Sequence, residues 1–147
     1  MSNQDSLSKK LPQALLALRL GVFLVMLMWT LDKFVNPAHS AGIFANFYKI
    51  QGLGTSVFFI IGAVEMIILL AFVTGMYKRW TYGAVFLLHA VSTLSSWRFY
   101  LGFGSLTFFA AWPMLAACFA LYILRDEDTL LTIKRSSPDE AETTSVT

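Results

Sequence analysis

The chain has 147 residues, 56% hydrophobic and only 14% charged, which suffices for one domain and is too apolar for a water-soluble one. Its net charge of +2 is too small to argue for a nucleic-acid partner. Its single cysteine, Cys118, excludes an internal disulfide, a C-x-x-C redox pair and a cysteine-rich zinc site.

In chain order, residues 1–12 read as a polar N-terminal tail, with Pro12 suited to the first turn of a helix. A first membrane span is expected over residues 13–34. Arg19 near its start reads as an anchor reaching the inner interface, or as an inward arginine facing an acidic head group. Trp29 marks the outer interface. Asp32 and Lys33 follow the apolar run where a signal peptide would carry small residues, so the span is read as retained. Asn36-Pro37 then reads as a helix cap and first position. Ile43, Phe44, Phe47 and Ile50 recur at helical spacing, which predicts a short amphipathic helix in the outer interface, ended by Gly52 and Gly54.

A second span is expected over residues 56–76, a third over 80–97 and a fourth over 105–124. Pro113 inside the fourth should kink it. Residues 13–125 thus read as an all-α, up-down bundle of four transmembrane helices, followed by a polar cytoplasmic tail over 126–147, acidic and disordered after Arg135. Lys9, Lys10, Arg19, Lys78, Arg79, Arg125, Lys134 and Arg135 fall on one side of this arrangement, and Lys33, Lys49 and Arg98 on the other. That asymmetry puts both termini in the cytoplasm, with the chain in a bacterial inner membrane.

Glu65 is the one charge inside the second span, and a carboxyl group there is costly unless neutral or paired. It lies roughly 15 Å below the outer end of its span, and His89 roughly 12 Å below the outer end of the third, at helical rise. Antiparallel neighbours would bring the two to nearly one level, where they could share a proton or bind a polar ligand. The plainer alternative is that each satisfies a backbone carbonyl or a hydroxyl such as Ser92, Thr93 or Thr107. Two such groups are too few for a closed metal site. Trp112, beside the proline, is a candidate pocket wall. Asp32 and Arg98 end the first and third spans, and read either as an interfacial ion pair or as a polar mouth over a cavity at Glu65.

Arg19-Leu20-Gly21 followed by Trp29-Thr30-Leu31-Asp32-Lys33-Phe34 resembles the first span of the DoxX-like membrane proteins. Gly62-Ala63-Val64-Glu65, with Gly75 and Arg79, resembles their second span, with its buried glutamate and exit glycine. The resemblance covers about residues 14–125. The chain departs from the commoner pattern at Thr30-Leu31-Asp32, where a glycine often precedes the lysine. The resemblance implies a four-helix membrane bundle associated with redox systems, among them quinone-linked subunits of thiosulfate oxidation and partners of thiol proteins. With one cysteine, a quinone-like ligand suits this chain better than thiol chemistry. Its carbonyls would take hydrogen bonds from His89 or a protonated Glu65, and its ring would stack on aromatics. The sequence holds no haem pair, flavin motif or nucleotide loop, so an oxidoreductase partner would have to supply electrons. Contacts with membrane lipids and with a second copy fit the same reading. A non-enzymatic scaffold or a small-solute transport module is the alternative.

Overall fold

A computed structural model describes residues 3–133. Among these, five α-helices carry the fold: α1 (Asn3–Val35), α2 (Pro37–Ile43), α3 (Thr55–Val73), α4 (Lys78–Ser95) and α5 (Ala111–Ile123). The four longer ones pack in a ring, with α1 against α3 and α5, and α4 against α3 and α5. Three helical stretches are long and apolar enough to cross a membrane: Ser6–Val35, Thr55–Val73 and Phe103–Ile123.

The interior is assembled from residues at three- and four-residue spacing, as helices packed side by side require. On α3 the stripe is Phe58, Gly62, Glu65, Leu69 and Phe72. On α1 it runs Leu15, Arg19, Val22, Met26, Thr30 and Lys33. Three of these six are polar, while Leu24 and Met28 on the same helix stand 60% exposed. Ile60 and Ile67 on α3 and Leu87 on α4 are also exposed. Apolar side chains outward and hydrogen-bonding ones inward suit hydrocarbon surroundings, since only the interior can satisfy a polar group there. Together with the three apolar stretches this points to a membrane protein.

Three local features differ from the sequence expectation. First, residues 3–12 are helical, and α1 runs through Pro12 without a break. Proline in a helix interior removes one hydrogen bond, but Leu11 packs against the core on the far side of it and holds that turn in place. Second, the irregular part of the fourth expected span lies upstream of Pro113. Residues Phe103–Ala110 form a 3-10 stretch with Ser105 out of helical geometry, and α5 begins only at Ala111. Pro113 therefore sits in the first turn of α5, where a missing N–H is harmless. Third, the tail expected from residue 126 folds back onto the bundle as far as Ile133, whose N–H donates to the Thr74 carbonyl at 2.9 Å. The acidic stretch over 136–147 lies outside the described residues.

Asn36 caps α2 by accepting from the His39 N–H, and Pro37 takes the first turn. The chain then widens into a π-helical turn, Phe44–Tyr48, and ends on Lys49 in the left-handed region. Phe44 meets Phe58 edge to face at 5.3 Å, which ties this segment to α3.

Gly75 terminates α3. The Met76 N–H reaches the Ala71 carbonyl and the Gly75 N–H the Phe72 carbonyl, the paired bonds of a Schellman cap. That cap puts residue 75 at φ +68, and a Cβ there would lie 2.6 Å from Thr132 Cγ2. Both the backbone and the returning C-terminal segment thus demand glycine. Gly75→Ala should cost at least about 1 kcal/mol from the left-handed backbone alone. It should also lift residues 129–133, speeding amide exchange at Ile133; unchanged exchange there would refute this account of the cap.

Candidate functional site

The interior stripe of α1 carries two charged centres, Arg19 and Lys33, about 21 Å apart along the axis. Each is completed by a different part of the chain.

Arg19 is fully buried, and so is its partner Asp128, with Nη1 to Oδ2 at 3.0 Å. Nη1 also donates to the Tyr82 hydroxyl at 3.2 Å, and that hydroxyl donates to Asp128 Oδ2 at 2.7 Å. Nη2 donates to the carbonyls of Leu130 and Leu131. Lys78 reaches the Asp128 carbonyl. The guanidinium therefore ties α1, α4 and the C-terminal segment into one knot under the Gly75 turn. Leu131, at φ 49, takes a conformation that branched residues avoid. Arg19 Nε and Asp128 Oδ1 are buried without a hydrogen-bond partner among the described residues. Sequence reading offered an interfacial anchor or an inward arginine facing an acidic head group and missed Asp128 as its partner. The available signal was Arg19 falling on one stripe with Leu15, Val22 and Lys33.

Lys33 pairs with Glu65, Nζ to Oε2 at 2.8 Å, with side chains 11% and 17% exposed. Lys33 also donates to the Trp29 carbonyl at 3.2 Å, and the Thr30 hydroxyl donates to the same Glu65 oxygen at 3.1 Å. Gly62, one turn before Glu65, lets the helices close: a Cβ there would lie 2.8 Å from the Phe34 ring and 3.3 Å from Lys33 Cβ. The arrangement is a largely buried acid–base pair with the hydroxyl of Thr30 at its side. An ammonium has three donors, and two of Lys33's are committed.

The other expected site residues have separate partners. His89 Nε2 meets the Ala111 carbonyl at 3.0 Å, joining α4 to α5, and no hydrogen bond links it to Glu65 among the described residues. Trp112, next in the chain after Ala111, is half-exposed and packs on Tyr100 at 5.5 Å. The Tyr100 hydroxyl donates to the Thr93 carbonyl at 2.9 Å. Burial pushes its phenol above the ordinary range, against the lowering effect of Ser96. Asp32 accepts from His39 Nδ1 at 2.8 Å and from the Ser40 hydroxyl at 3.1 Å, whereas Arg98 lies over the Trp97 ring at 5.3 Å. Asp32 thus has a local partner on α2, and the Asp32–Arg98 pairing considered from sequence is not formed. Among the described residues no three His, Cys, Asp or Glu side chains gather as a metal site.

No protein-family model, curated protein or solved structure matches the chain.

Proposed function

We propose that the chain is a four-span, up-down membrane module of the bacterial inner membrane, with both termini in the cytoplasm. In this reading it holds the polar head of a lipophilic, quinone-like ligand at the Lys33–Glu65 pair and serves a membrane oxidoreductase. α4 would be the third span, more polar than the other three and sheltered by its neighbours in the ring. The orientation rests on the bias of basic residues toward the Arg19 end.

The observation that carries the ligand reading is the donor count at Lys33. An intramembrane ammonium with one uncommitted N–H, beside a carboxylate and a hydroxyl, matches a ligand with a carbonyl that becomes a hydroxyl on reduction. A bound quinone would supply two-electron chemistry, with the electrons coming from a partner. The chain's own residues would donate to the carbonyl from Lys33, relay to the reduced oxygen, by way of Glu65, a proton taken up from water, and hold Glu65 against α1 through Thr30. Lys33 takes here the donor role that His89 has in the sequence reading. Lys33 belongs to the stretch that resembles the first span of DoxX-like proteins and Glu65 to the stretch that resembles the second, so the contact joins the two stretches on which that resemblance rests.

The test is titration of a short-chain quinone into detergent-purified protein, followed by tryptophan fluorescence. Wild type should show saturable quenching. Lys33→Gln should weaken it about fivefold, the effect of one hydrogen bond of about 1 kcal/mol. His89→Phe should leave it unchanged. Absence of saturable quenching, or quenching that survives Lys33→Met/Glu65→Leu, would favour the scaffold or solute-transport alternative.

A further inference from the structure

A different polar feature lies at the Lys33 end of the bundle, where the π-helical turn after α2 approaches α4 and the residues that follow it. An open, surface-facing cavity of about 290 Å³ lies there between Asn46, Phe47, Lys49, Arg98 and Phe99, all exposed except the half-buried Phe47. Two of the five lining residues are cations. Among the described residues neither has a carboxylate within ion-pair distance. The two acids at this end are already engaged, Asp32 by His39 and Ser40 and Glu65 by Lys33 and Thr30.

The cations are positioned by the backbone and by an aromatic ring. Lys49 is the left-handed residue that closes the π-helical turn. Arg98 has its guanidinium carbon over the Trp97 ring. A cation–π contact of that kind leaves the guanidinium N–H groups for oxygen acceptors. The apolar side of the cavity is continuous with a packed aromatic group: Phe47 lies 5.2 Å from Phe99 and 5.8 Å from Phe108, and Phe99 stacks on Phe108 at 4.7 Å. A small hydrated anion has no use for such a wall. An amphiphile with an anionic head does, because its chain can lie along the rings while its head meets the two cations.

We propose that this cavity binds an anionic phospholipid, its phosphodiester held between Lys49 and Arg98 and the start of an acyl chain against Phe47 and Phe99. Asn46 supplies a further donor at the rim. The site is separate from the Lys33–Glu65 pair and does not depend on what binds there. It would fasten the segment between α1 and α3 to the membrane surface.

The experiment compares phosphatidylglycerol with phosphatidylcholine of the same acyl chains, added to delipidated protein and counted by native mass spectrometry. Two interfacial cations should favour the anionic lipid by about thirtyfold. Lys49→Gln/Arg98→Gln should bring the two lipids close to parity, and Lys49→Arg/Arg98→Lys should keep the preference. Equal binding of the two lipids by wild type, or a preference that survives the glutamine pair, overturns the proposal. Displacement of phosphatidylglycerol by millimolar inorganic phosphate overturns it as well, because the cavity would then be a site for free anions.

Discussion

Asp128→Ala should lower stability by about 3–5 kcal/mol, as breaking one side of a buried ion pair does. The reason lies in what stays behind. Arg19 has no exposed surface, and its guanidinium would lose the carboxylate while remaining enclosed. The Tyr82 hydroxyl would lose its acceptor at the same time. The carbonyls of Leu130 and Leu131 would still face Arg19, but the segment holding them would lose its anchor. Unfolding in detergent should therefore shift to lower temperature, and a protease should cut sooner between residues 124 and 133. Arg19→Leu/Asp128→Leu should recover much of the loss, since no unpaired charge remains. Recovery should be incomplete, because the two leucine carbonyls would then lack their donor. Thermal midpoints and cleavage rates unchanged in Asp128→Ala would show that the knot contributes nothing.

Three of the helical stretches were legible as long apolar runs between turn signals, and some helix ends were legible too. Asn36-Pro37 announces the start of α2, and Gly75 stands where a helix must stop. Register was harder to read. In a soluble bundle the apolar stripe marks the inside, but here lipid-facing positions are apolar as well. The inside is marked instead by polar residues at three- and four-residue spacing: Arg19, Thr30 and Lys33 on α1, and Glu65 among Gly62 and Leu69 on α3.

Pairing was the hardest part. Glu65 and His89 lie on helices joined by a four-residue turn, so chain proximity favoured them. Glu65 instead faces α1 across Gly62, while His89 faces α5. The Arg19–Asp128 pair joins positions 109 residues apart, and no local pattern could connect them. The run Arg125 to Asp128 looks like a solvated helix end, and only the return of the chain to Thr74 buries its last member.

Glu65→Leu should destabilise the protein by about 3 kcal/mol, the lower end of the range for a broken buried pair. The lower end applies because Lys33 sits in the last turn of α1 and part of its charge can reach the helix end. Glu65→Gln should cost less, since its carbonyl can still accept from Lys33 and Thr30. Lys33→Met should fall near Glu65→Leu, because it leaves the carboxylate with only the Thr30 hydroxyl. Lys33→Met/Glu65→Leu should be more stable than either single change, with methionine and leucine packing against Gly62 and Phe34. That double variant separates structure from function: it should fold well and bind no quinone. Denaturant titration in detergent gives the four stabilities, and the cycle gives the coupling between the two side chains. A coupling near zero would mean that the 2.8 Å contact does not hold α1 to α3. In that case the energy at this end would have to come from Gly62 and the Phe34–Phe59 stack, and the Lys33–Glu65 pair would be open to serve a ligand alone.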